Sequence, residues 1–151
     1  MASCIVSFLM PRAVMLDIRA STKIALLHTL SEQASAFTGL PPETIFAELN
    51  KRESLGSTGM GGGVAIPHAA YPGLKQTFGL AARIKPAIDF EAIDDKPVDL
   101  VFVLLTPASG EKAHLNALAA VSRRLRNREV AEKLRTAADA ETFYDLLRGT
   151  D

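Results

Sequence analysis

Apolar and polar residues fall into blocks of two periods along this chain. In "AVMLDIR" (13–19), Val14, Leu16 and Ile18 alternate with Met15, Asp17 and Arg19, the two-residue period of a half-buried strand. From Ser21 the period lengthens. Ile24, Leu27, Leu30, Ala34 and Phe37 recur at helical spacing, and Gly39 can end that helix. "PPETIFAELNKRES" opens on proline with Glu43 in the first turn, which predicts a second helix with Ile45, Phe46 and Leu49 inward. A glycine loop over 56–63 leads into a short strand over 64–66. Phe78, Leu80, Ala82 and Ile84 alternate in a further strand over 77–84, and Asp94-Asp95-Lys96-Pro97 reads as a turn. Over 98–106, Val, Leu and Phe crowd both faces, as in a central strand covered on both sides, and Pro107 stops it. The clearest helix runs over 111–126, with Leu115, Leu118, Ala119, Ser122 and Leu125 on one face. Two shorter helical segments follow, one carrying Val130 and Leu134, the other Phe143, Leu146 and Leu147.

Strands interleaved with helices define an α/β fold class: a single layered domain, its mixed β-sheet flanked by helices. A chain of 151 residues suits one core. Residues 1–10 form an N-terminal segment of uncertain structure, and the domain is read as 11–151. That first segment, "MASCIVSFLM", is apolar but lacks a basic start and a small-residue cleavage site, so it is not read as a signal peptide. No apolar run approaches the ~20 residues of a membrane span. Lys plus Arg and Asp plus Glu number 17 each, and this zero net charge argues against a general nucleic-acid binder. The single cysteine, Cys4, cannot form an internal disulfide and fits a reducing cytoplasm.

Candidate chemistry gathers around "GGGVAIPHAAY" (61–71). Its glycines match neither the G-x-x-x-x-G-K-[ST] phosphate loop nor the dinucleotide pattern, because they precede a strand. They are either a turn or a wall of N–H groups open to an anion. His68 follows Pro67, which fixes the chain before it. A lone histidine can be structural or reactive. His114 opens the 111–126 helix, and the positions 4, 7 and 11 residues on are Leu118, Val121 and Leu125, so its ring lies on or beside the buried stripe. There it either bonds a carbonyl or points into a cleft at the helix N-terminus. If the strands before His68 and His114 are parallel, both rings reach one sheet edge, where α/β ligands bind. Arg52 is either a salt-bridge partner of Glu48 or a cation for a phosphoryl group. His28 reads as an ordinary surface or boundary residue. No H-E-x-x-H or C-x-x-C pattern supports a metal site.

"KRESLGSTGMGGGVAIPHA" and "IDFEAIDDKPVDLVFVLLTPASGEKAHLNALAAVSRRLRN" resemble the bacterial phosphotransferase system enzyme IIA domains of the fructose/mannitol type, and most of all their nitrogen-regulatory branch. The resemblance runs from about Pro11 to the last helix. It implies that His68 accepts a phosphoryl group from a histidine phosphocarrier protein, that His114 is the second, unphosphorylated histidine, and that Arg52 faces the phosphoryl group. Donors for that group would come from Gly61, Gly62 and Gly63 and from Ser57 or Thr58. Many members carry glycine where Ala69 stands, and the glycine run is richer here. No metal or cofactor is implied. The implied job is a phosphorylation-dependent regulator in the cytoplasm, with targets such as potassium transporters or sensor kinases. A sugar-specific IIA subunit serving a IIB component and a pure binding module are the alternatives.

Overall fold

The computed structural model describes residues 4–149. The chain begins with a 3-10 turn, η1 (Cys4–Ser7), and β1 (Leu9–Ile18). Two helices follow, α1 (Lys23–Thr38) and α2 (Pro42–Ser54). Three short strands come next: β2 (Gly59–Gly61), β3 (Val64–Ala65) and β4 (His68–Tyr71). The long strands β5 (Phe78–Ile88) and β6 (Val98–Pro107) lead to α3 (Glu111–Arg126), α4 (Arg128–Thr136) and α5 (Ala140–Arg148).

The sheet order is β1-β5-β6-β3-β2, with β4 also paired to β6. β1 is parallel to β5, β5 antiparallel to β6, and both β3 and β4 are parallel to β6. The sheet is mixed, as the sequence predicts. β6 is buried along nearly its whole length, which accounts for its unbroken apolar run. β3 and β4 are two pieces of one track along β6, interrupted at Ile66–Pro67. Proline has no N–H for the ladder, but its carbonyl still accepts from Leu104 N at 2.9 Å.

Local chemistry sets the helix ends. Thr22 caps α1 by accepting from Ala25 N, and Gly39 closes it in the left-handed region at φ 78°. Asn127 and Asp139 cap α4 and α5 in the same way as Thr22. α3 has no side-chain cap at Gly110.

Several expectations shift. β1 starts at Leu9 rather than 13, and Ile5, Phe8 and Leu9 belong to the core. On α1 the expected Leu27, Leu30 and Ala34 are buried and Phe37 packs against the core, but Ile24 is half exposed and Leu26 and Ser31 join the buried face. On α3 the buried residues are Ala117, Val121 and Leu125, whereas Leu115 is 60 % exposed and Ala119 is exposed. The face that carries His114, Leu118, Val121 and Leu125 turns inward, whereas Leu115 and Ala119 turn outward. The 77–84 strand runs on to Ile88 through a register shift after Arg83.

Candidate active site

α2 ends, β4 begins and α3 begins at one place, and an open cleft of about 640 Å³ lies between them. Its lining includes Glu48, Lys51, Arg52, Leu55, His68, Thr106, Glu111 and His114. The parallel pairing of β3 and β4 with β6 is the condition the sequence posed for bringing both histidines to one edge. His68 pairs with Leu104 in that register, and β6 runs on through Thr106 into the turn before α3. The two imidazoles stand with centroids 5.4 Å apart and planes at 53°.

His68 is half-buried, and its Nδ1 lies 2.7 Å from the Ile66 carbonyl oxygen. A carbonyl only accepts, so Nδ1 carries the hydrogen and Nε2 keeps a free lone pair. Burial pushes the imidazole below its ordinary pKa. The Ile66 carbonyl pulls the other way, while Arg52 and His114 add to the depression. The ring is therefore neutral at neutral pH, with the Nε2 lone pair free. Pro67 locks the residue between ring and carbonyl, so this geometry is fixed by the backbone. His114 is likewise lowered by burial. Its Nδ1 is 2.6 Å from Thr106 Oγ1.

Arg52 does not pair with Glu48. Its Nη1 donates to the Gly56 carbonyl at 2.7 Å, which ties the end of α2 to the following turn and leaves the other guanidinium nitrogens beside the cleft. The uncapped first turn of α3 adds N–H groups at the same edge, with the positive end of the helix dipole behind them.

The structure does not bring the expected loop donors to this cleft. Gly61, Gly62 and Gly63 form the β2–β3 hairpin at the opposite end of the β3–β4 track. Val64 pairs with Leu100 and His68 with Leu104, so the two places are roughly 13 Å apart along β6. Gly62 N donates to Asp94 Oδ2 at 3.1 Å, its carbonyl accepts from Arg135, and the Gly63 carbonyl accepts from Asp99 N and Leu100 N. Of the two readings of the glycine run, the turn is the one the geometry supports. Ser57 Oγ donates to the Phe90 carbonyl. The Thr58 hydroxyl and N–H both bond the Glu53 carboxylate, which is buried and paired with Lys23 at 2.9 Å. These hydroxyls hold the loop after α2 rather than open onto the cleft. His28 sits exposed on α1, stacked flat on Phe46 at 3.7 Å. Among the described residues, no group of three His, Cys, Asp or Glu side chains is placed to hold a metal ion, and no helix is long and apolar enough to cross a membrane.

Sequence reasoning missed Thr106. The signal was there, since it is the one hydroxyl in the apolar run 100–105 and the residue after it, and it is fully buried.

Two imidazoles, a guanidinium and a bare helix start thus meet in one cleft at the edge of a mixed α/β sheet. The family model for the phosphoenolpyruvate-dependent sugar phosphotransferase system, EIIA 2, matches residues 7–149, and the chain belongs to that family. It is 43% identical over 137 residues to a nitrogen regulatory protein of Bradyrhizobium diazoefficiens, a match covering 91% of this chain and 90% of the relative. It superposes on the crystal structure of nitrogen regulatory protein IIA-Ntr from Neisseria meningitidis with a TM-score of 0.91 and 34% identity, covering 96% of this chain and 99% of that one. The mannitol IIA of Escherichia coli shares the fold, with a TM-score of 0.75, 20% identity and coverage of 89% and 95%.

Proposed function

We propose that His68 Nε2 takes a phosphoryl group from a phosphohistidine on a small carrier protein, and that the phosphorylated and free forms present different docking surfaces to regulatory targets. The observation that carries this reading is the anchoring of His68 through Nδ1, which leaves Nε2 unprotonated beside His114 and Arg52.

The step balances without a cofactor. The Nε2 lone pair forms a P–N bond while the donor's P–N bond breaks, and that electron pair returns to the donor ring. The hydrogen on Nδ1 stays in place. Phosphorylation leaves positive charge on the His68 ring, and the Ile66 carbonyl stabilises it through the same hydrogen bond. Charge on the three equatorial oxygens of the transferring group meets Arg52, the His114 ring and the first turn of α3. Donor and acceptor are both imidazoles, so the transfer is reversible.

A dianionic group added to a previously neutral ring makes this part of the cleft net negative and so changes the surface a partner meets. Exposed apolar side chains suited to protein contact are at hand: Leu55, which lines the cleft, is 80 % exposed, and Leu115, which follows His114 on α3, is 60 % exposed. The carrier would be a nitrogen-type histidine phosphocarrier, and the setting the cytoplasm. The test is to mix the protein with a phosphorylated histidine carrier and locate added phosphate by mass spectrometry at neutral pH, with His68→Ala alongside. Acid-labile phosphate on His68, absent from the variant, is the expected result. Uptake by His68→Ala at the normal rate would put the acceptor elsewhere.

A further inference from the structure

We infer that Thr106 is a positioning residue for transfer: its hydroxyl donates to His114 Nδ1 and so fixes the His114 ring with Nε2–H directed at the phosphoryl site. This rests on the phosphotransfer reading above and adds a residue and a proton location to it.

Thr106 lies at the C-terminal end of β6, its side chain fully buried. Its hydroxyl has one hydrogen and two neighbours, His114 Nδ1 at 2.6 Å and the Ala69 carbonyl at 3.5 Å. An O–H donor normally reaches its acceptor at about 2.5–3.0 Å, whereas an N–H donor typically sits near 2.9 Å. The short contact fits a hydroxyl that donates to the ring, and the long one is outside the range. The Ala69 carbonyl has no need of the hydroxyl. In the parallel β4–β6 ladder, Leu104 N donates to the Pro67 carbonyl and Ala108 N to the Tyr71 carbonyl. The two-residue repeat of that ladder gives the Ala69 carbonyl the Thr106 amide in between.

The proton on Nδ1 decides what His114 offers the cleft. If Nδ1 carried the hydrogen, the bare Nε2 lone pair would repel phosphoryl oxygens. With Nδ1 accepting from Thr106, Nε2 carries the hydrogen and is a donor. The two rings are thus held in opposite senses. His68 gives its Nδ1 hydrogen to a carbonyl and keeps an open Nε2, while His114 takes a hydrogen at Nδ1 and presents Nε2–H. The strand-to-helix connection is short and internally bonded, with Gly110 N donating to the Pro107 carbonyl and His114 N to the Gly110 carbonyl. That rigidity keeps hydroxyl and ring in register.

The experiment compares Thr106→Val, which keeps the shape without the hydroxyl, with Thr106→Ser, which keeps the hydroxyl. Transfer from a phosphorylated carrier is timed, and the ring nitrogens of His114 are observed by 15N NMR. In the wild type the spectrum should show hydrogen on Nε2 and an accepting Nδ1. Thr106→Val should slow transfer about tenfold, the size of one lost hydrogen bond, and should change the Nδ1 resonance. Thr106→Ser should restore most of the rate. In a His114→Ala background the valine change should cost nothing more. Hydrogen on His114 Nδ1 in the wild-type spectrum overturns the inference whether or not phosphate is taken up. A wild-type rate in Thr106→Val, with His68→Ala inactive, overturns it while leaving the phosphotransfer reading intact. If no protein form takes up phosphate, that reading fails and the spectrum alone decides the proton location.

Discussion

His68 carries the sharpest consequence at the scale of single residues. Its folded-state pKa lies below the ordinary 6.5, chiefly through burial. A lowered value means that protonation is disfavoured in the folded protein, so the neutral form persists into mildly acid solution. The acid limb of the transfer rate against pH should therefore fall below pH 6.5, and a limb at or above that value would contradict the burial argument. The same sign makes folding stability decline as pH drops through that window, because the unfolded chain takes the proton first. Arg52→Gln should slow transfer roughly 100-fold, as loss of one preorganised donor does elsewhere, with the circular dichroism spectrum unchanged. Arg52 and the histidines were legible in the sequence because Pro67 and the helix periods mark their positions. The tautomers were not: the Ile66 carbonyl that holds one ring is local but reaches it only in the folded backbone conformation, and the Thr106 hydroxyl beside the other is brought there by packing.

Among the elements, the β2–β3 hairpin separates two readings of the same residues. Gly63 has φ 79°, and a methyl group there would lie 2.5 Å from Arg135 Nη2 and 2.9 Å from Asp99 Oδ1. Gly63→Ala should lower stability by about 1–2 kcal/mol, mostly from the left-handed backbone. Urea unfolding measures this. Phosphate uptake at saturating carrier should stay at the wild-type level, because the hairpin lies at the far end of the track. A loss of uptake without a loss of stability would return the glycines to the cleft. Sequence marks a glycine run well but cannot say which end of a strand it occupies relative to a site. That depended on β3 and β4 both pairing with β6, a long-range choice. Ile24 on α1 and Leu115 and Ala119 on α3 were misjudged for the same reason, while Leu27, Leu30, Ala34 and Leu125 are buried as expected. Several apolar stripes are available on each helix, and the sheet selects one.

The whole molecule hangs on β6. It pairs with β5 on one side and with the β3–β4 track on the other, and it delivers Thr106 to the cleft. Leu80, fully buried on β5 opposite Val103, should cost about 2–5 kcal/mol as Leu80→Ala. Calorimetry would register that as a large share of the ~5–15 kcal/mol of a typical domain. The layered α/β class and the central strand were readable from composition and period alone. The packing of Ile5, Phe8 and Leu9 into the core was not, because a short apolar stretch without a clear period has no address until its partners are placed.

The last helix offers one more consequence. α5 packs on β1 and η1, and the Tyr144 hydroxyl reaches the Leu9 carbonyl at 3.4 Å. The first and last described elements are therefore neighbours, and the cleft draws its lining from 48–114 only. Topologically the domain is a ring that has been cut once. Joining its two ends through a flexible linker and cutting instead between Ala138 and Asp139 would give a permuted chain that starts with α5, keeps the Asp139 cap and ends on α4. Such a chain should refold to the same cleft and take up phosphate on the same imidazole, since the order in which the ring is read has no bearing on where its chemistry sits.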